Sequence, residues 1–97
     1  MSTKKRLQFL AEARAKTQDL QWHRYGFETV AYHHDEVLSI YKDLTTLTYN
    51  ASYLVMSDDE AVVEVELGSY GTLLKAQQAL KDYAINIWAQ QAAWGNE

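Results

Sequence analysis

The chain has 97 residues, contains neither cysteine nor proline, and carries a formal net charge of −4 at pH 7. This length is typical of one domain, so we interpret residues 1–97 as a single α+β domain. A chain without cysteine forms neither disulfides nor thiolate metal sites. No apolar run approaches the roughly 20 residues of a membrane span, and we expect a cytoplasmic protein with no membrane contact.

Residues 3–20 predict a first helix, because alanines are frequent and Phe9, Ala13 and Leu20 fall on one helical face. Residues 22–33 predict a first strand, in which aromatic and β-branched residues surround Gly26. The segment 35–47 fits either a helix that begins at two acidic residues or a strand. We favour a strand over residues 36–42, where β-branched and aromatic residues are locally enriched.

Residues 49–67 predict a hairpin, with strands over 49–56 and 61–67 and a polar turn over 57–60. In its second strand Val63 and Val65 alternate with Glu64 and Glu66. This period of two indicates one face in the core and one in water.

After Gly68 the pattern predicts a closing helix, capped by Ser69 or Thr72 and ended by Gly95. Its main apolar stripe comprises Leu73, Ala76, Leu80, Tyr83, Ala84, Ile87 and Trp94. A second apolar group comprises Leu74, Ile85 and Trp88. Either the first helix or a second copy of the chain covers that group, and we predict a homodimer interface there. The expected fold is a two-layer α+β sandwich: an N-terminal helix, an antiparallel sheet of three to four strands with the 49–67 hairpin, and a C-terminal helix.

Catalytic chemistry has little support in the chain. His33 and His34 would point to opposite faces of a strand, so they do not converge on one metal ion. There is no nucleophile elbow and no phosphate-binding loop. We therefore expect no enzyme activity, no catalytic residue, no metal and no cofactor.

Charge is the most informative feature, because residues 1–26 are basic while residues 27–67 hold nine acids and one lysine, Lys42. These acids are either simply solvated or form a surface that docks on a basic partner, steered by opposite charge. The predicted partner-binding residues are Glu28, Asp58, Asp59, Glu60, Glu64 and Glu66.

The leading hypothesis is a non-enzymatic interaction protein of the inhibitor, immunity or anti-defence type, an accessory protein of a phage or other mobile element. Its partner would be a basic protein, and the acidic balance argues against direct nucleic-acid binding. The alternative is a small-molecule-binding or regulatory α+β homodimer. Its pocket between sheet and helix would be lined by Tyr32, Tyr41 and Tyr53, with Trp88 beside them.

Overall fold

A computed structural model describes residues 3–56 and 61–95. The elements in chain order are α1 (Thr3–Gln18), β1 (Trp22–Tyr25), β2 (Glu28–His33), β3 (Glu36–Asp43), β4 (Thr48–Met56), β5 (Val62–Tyr70) and α2 (Leu73–Gly95). The five strands form one sheet in the order β1-β2-β3-β4-β5, and every neighbouring pair is antiparallel. The α+β class is thus confirmed, with the predicted order along the chain of an N-terminal helix, an antiparallel sheet and a C-terminal helix.

The prediction of three to four strands is wrong, because residues 22–33 form two strands instead of one. Tyr25 pairs with Glu28 and closes a hairpin of only two turn residues, Gly26 and Phe27. Gly26 has φ 62°, a conformation that glycine adopts without the steric cost of a Cβ. The second turn residue, Phe27, is aromatic and therefore typical of a strand, so the sequence does not indicate a turn here.

The strand over 36–42 and the hairpin over 49–67 are both confirmed, as β3 and as β4 with β5. The acidic turn of that hairpin, with Asp58, Asp59 and Glu60, lies outside the described residues. β5 continues to Tyr70, because a β-bulge at Leu67 shifts the register and lets Gly68 pair with Ala51.

α2 begins at a side-chain cap. The Thr72 hydroxyl accepts a hydrogen bond from the backbone N–H of Lys75 at 3.1 Å. That bond satisfies one of the N–H groups that the first turn of a helix leaves unpaired. Of the two predicted caps, Thr72 is therefore the one used, and Gly95 is the last residue of the helix.

The chain divides into two compact units. One comprises residues 20–80, which include the sheet and the first turns of α2. Its buried residues include Leu38, Ile40 and Tyr53 on the strands and Leu80 on α2. Leu73 lines a shallow concavity with sheet residues such as Tyr49, so α2 begins over the face of the sheet that carries the core.

The other unit comprises residues 1–19 and 81–97, with Ala13, Thr17, Ala84, Trp88 and Ala89 buried. Trp88 is only 3% exposed, whereas Leu74 is 74% exposed. The second apolar group of α2 is therefore not one exposed face. Because Trp88 is already buried within the chain, it has almost no area left to bury against a second copy. The homodimer and the two-layer arrangement stay predictions.

Candidate functional site

The two faces of the sheet differ in composition. Partners in an antiparallel ladder lie on the same face, and successive residues of a strand alternate between faces. The register therefore assigns Leu38, Ile40, Ala51 and Tyr53 to one face, and all four are buried. We call the opposite face the open face, because every described residue on it except the buried Val30 is at least partly exposed. It consists of His23, Tyr25, Glu28, Val30, Tyr32, Val37, Ser39, Tyr41, Asp43, Thr48, Asn50, Ser52, Leu54, Met56, Val62, Glu64, Glu66 and Ser69.

The open face is acidic. Glu28, Glu64 and Glu66 are exposed on it, and Asp43 lies half-buried at its border. Among the residues that the structure describes, no lysine or arginine of the sheet has its strand position on this face. The same register assigns Arg24 and Lys42 to the opposite face. Within the described strands, the register thus places no lysine or arginine beside these carboxylates.

These carboxylates are spread across the sheet and do not converge. Glu28 lies on β2 and Glu66 on β5, three strand spacings away, or about 14 Å at ~4.8 Å per strand. That separation exceeds the screening length of about 8 Å at physiological ionic strength. The arrangement suits a broad surface that meets a similarly broad basic surface, and it does not suit a site for a single cation.

Exposed tyrosines accompany the carboxylates. Tyr25, Tyr32 and Tyr41 are 61%, 56% and 53% exposed, and all three lie on the open face. Glu28 is paired with Tyr25 on one side and Tyr41 on the other. The His23 ring centroid lies 6.5 Å from that of Tyr25 and 6.4 Å from that of Tyr32. Tyrosine rings attract lysine and arginine through their faces, so rings and carboxylates select the same kind of partner.

An apolar hollow of about 190 Å³ lies beside this acidic region. Its apolar lining is Val37, Leu54, Met56 and Val62, and its polar lining is Glu28, Asp35 and Ser39. The Ser39 hydroxyl donates to Glu28 Oε1 at 3.1 Å, which orients that carboxylate at the rim. Ligand pockets usually measure about 300–1,000 Å³. This hollow is smaller, and fits one protruding side chain of a partner better than a whole ligand.

A second hollow, of about 240 Å³, lies at the bulge between β4 and β5. It is lined by Asn50, Ala51, Ser52, Glu66, Gly68 and Ser69. The Ser69 hydroxyl donates to Asn50 Oδ1 across the two strands. This hollow is polar, with Glu66 as its charged residue, so it extends the acidic character of the open face to the edge of the sheet.

The aromatic pocket predicted from Tyr32, Tyr41 and Tyr53 is wrong. Tyr32 and Tyr41 lie on the open face, while Tyr53 pairs with Leu38 on the opposite face and is 1% exposed. A pocket on a single side of the sheet therefore cannot be lined by all three tyrosines. The sequence shows that these residues are aromatic, but their faces follow only from the register.

His33 and His34 occupy the hairpin between β2 and β3. His33 Nδ1 lies 3.6 Å from Glu36 Oε2, and the His33 and His34 ring centroids are 4.4 Å apart. The expectation that the two rings point apart is wrong, because His34 is in the turn with φ 54° and not in a strand. Within the described part of the chain, no three histidine, aspartate or glutamate residues are grouped as metal ligands would be.

Of the predicted partner-binding residues, Glu28, Glu64 and Glu66 thus lie on the same face of the sheet, the open face. The sequence missed Asp43 and the exposed Tyr25 as members of that surface. The signal for Tyr25 would have been the turn at Gly26, which sets its face through the pair with Glu28. Among the helices that the structure describes, neither is both long and apolar enough to cross a membrane. No protein-family model, curated protein or solved structure matches this chain.

Proposed function

We propose that the chain is a non-enzymatic interaction protein that docks its open face on a basic partner. The observation that carries the proposal is the exposure of Glu28, Glu64 and Glu66 on one sheet face that has no described lysine or arginine. Opposite charge accelerates the encounter of two proteins and excludes wrong partners. The exposed tyrosines support the same function, because aromatic residues are enriched at protein interfaces.

The partner class that fits best is a protein with a nucleic-acid-binding surface, since such surfaces concentrate lysine and arginine to contact phosphates. A protein that covers such a surface acts as an inhibitor or as an immunity or anti-defence factor. We therefore propose a cytoplasmic accessory protein of this type, of the kind that phages and other mobile elements use. The small-molecule alternative is not favoured, because the tyrosines of its pocket lie on opposite faces of the sheet.

The test compares two double variants with the same change in net charge. Glu28→Lys with Glu66→Lys alters the open face, and Glu12→Lys with Asp19→Lys alters exposed positions outside the sheet. Each pair exchanges two carboxylates for two ammonium groups, which changes the formal net charge of the chain from −4 to about zero. Overall charge is thereby matched, and the location of the charge is the only variable.

Binding is measured by surface plasmon resonance against a panel of purified basic nucleases and other nucleic-acid-binding proteins. We expect wild-type binding whose association rate falls as NaCl rises from about 0.05 to 0.5 M, over which the screening length shortens several-fold. The open-face pair should lose binding by about tenfold or more, which corresponds to ~1.4 kcal/mol. Affinity that is indifferent to salt and to the open-face pair, or an equal loss in the control pair, contradicts the proposal.

A further inference from the structure

β5 is the longer of the two free edges of the sheet. The strand order places β1 and β5 at the edges, and β1 has four residues whereas β5 has nine. Within residues 3–56 and 61–95, no strand pairs with the outer side of β5. The backbone N–H and C=O groups on that side of an edge strand are available to another strand. β5 therefore offers a long template for strand addition.

The edge is uncovered on both faces at its N-terminal end. Val62 and Val63 are consecutive, point to opposite faces, and are 56% and 55% exposed. The ladder between β4 and β5 is regular over residues 62–66, before the bulge at Leu67. A bulge interrupts regular pairing. The part of the edge that an incoming strand can follow without a break is therefore residues 62–66.

The side chains of residues 62–66 favour a basic strand over a second copy of this chain as the partner of the β5 edge. Glu64 and Glu66 lie on the open face, and Val63 and Val65 on the other. A second copy that paired antiparallel along β5 would bring these glutamates close to their own counterparts, and like charges facing across a strand pair are destabilising. A strand with lysine or arginine at alternate positions would instead bring opposite charges together, with its intervening apolar residues beside Val63 and Val65.

We propose that the edge of β5 binds an extended basic segment of the partner by strand addition over residues 62–66. This inference rests on the proposed function, because it names the part of the basic partner that would contact the acidic surface. In strand addition, backbone hydrogen bonds provide affinity, and the alternating side chains provide specificity. Here Glu64 and Glu66 select cationic residues at every second position of the incoming segment.

The probe is an acetylated and amidated peptide of about six residues, the length of a typical strand, that alternates lysine and valine. One control peptide has the same sequence with alternate backbone amides N-methylated, which removes hydrogen-bond donors and keeps the charge. A second control alternates glutamate and valine. Each is titrated into the full chain, and hydrogen exchange is followed residue by residue by NMR.

We expect the lysine–valine peptide to slow amide exchange within residues 62–66 and to leave β1 unchanged. N-methylation should weaken binding about tenfold or more, and the glutamate–valine peptide should not bind. Replacing Glu64 and Glu66 by lysine should weaken binding to a similar extent, while Glu12→Lys with Asp19→Lys should keep wild-type affinity. The two peptides, with and without N-methylation, are compared on the wild-type chain. That comparison remains valid even where a protein variant fails to fold.

Three results would overturn strand addition: equal binding of the N-methylated peptide, protection outside β5, or amides 62–66 already protected in self-associated protein without peptide. The last would show that a second copy occupies the edge. The failure of this inference is distinguishable from that of the proposed function. Basic-protein binding that depends on Glu28 and Glu66 without protection of β5 keeps the function and rejects the strand. Peptide-induced protection of β5 in a wild-type chain that binds no basic protein of the panel keeps the strand and rejects the function.

Discussion

Leu38 is the residue whose truncation tests the assignment of the two sheet faces most directly. It is fully buried on β3, the central strand, and is paired with Ala31 and Tyr53, which are also buried. Leu38→Ala removes three carbons, and at ~0.8 kcal/mol for each the lost transfer free energy is about 2.4 kcal/mol. Because ladder neighbours on both sides hold the backbone in place, the cavity cannot collapse fully. We therefore expect the free energy of unfolding to fall by about 3–5 kcal/mol in total.

The matched control is Leu74→Ala, the same chemical change at a position that is 74% exposed. It should change the free energy of unfolding by less than about 0.5 kcal/mol. Urea unfolding followed by far-UV circular dichroism measures both, and a lower midpoint at unchanged slope identifies a loss of stability alone. The melting temperature of Leu38→Ala should fall by roughly 12–40 °C, at about 4–8 °C per kcal/mol. Equal effects of the two substitutions, or a loss below about 1 kcal/mol at Leu38, would refute the face assignment.

Four further substitutions test local features by the same urea assay. Thr72→Ala should cost about 1 kcal/mol through the lost cap on the Lys75 N–H, and an unchanged midpoint would show that the cap contributes nothing. Gly26→Ala, at φ 62°, should destabilise by about 1 kcal/mol, whereas Gly71→Ala, which meets no atom within 4 Å, should be neutral or slightly stabilising. Leu47→Asn should stabilise by about 0.5 kcal/mol, because the exposed Leu47 has φ 58° and asparagine tolerates that conformation better; destabilisation would contradict this.

Elements in which apolar and polar residues alternate with a clear period were predictable from the sequence, and elements without such a period were not. Alternation of Val63 and Val65 with Glu64 and Glu66 identifies β5 without ambiguity, because only a strand places such a pattern on two faces. Residues 22–33 have aromatic and β-branched residues on both sides of Gly26, so their composition indicates strand throughout. Gly26 alone signals the two-residue turn, and the aromatic Phe27 beside it indicates strand, so the fifth strand was missed.

The residues of the open face were only partly predictable, because some of them have no alternating pattern that assigns their side of the sheet. Glu64 and Glu66 could be assigned to the solvent side from their own strand, since apolar residues alternate with them. The expectation that the other side of this strand is entirely in the core is wrong, because Val63 is 55% exposed at the edge of the sheet. Tyr32 and Tyr41 could not, because an aromatic residue in a strand fits the core and the surface equally well. Their face depends on which residues they pair with, and a shift of one residue reverses it. A prediction of these tyrosines as surface residues therefore needs the register of β2 and β3 first.

The open face is acidic because strand alternation puts its glutamates on one side of the sheet and Lys42 on the other. Lys42 lies between Tyr41 and Asp43 on β3, so the period of two assigns it to the face opposite both neighbours. Its ammonium lies 5.6 Å from the Tyr49 ring centroid on that face, where the ring's quadrupole favours it. The single lysine among the nine acids of residues 27–67 is thus held by strand geometry away from Glu28, Glu64 and Glu66. Lys42 therefore lies on the face opposite these carboxylates and does not neutralise them, which supports the proposed docking on a basic partner.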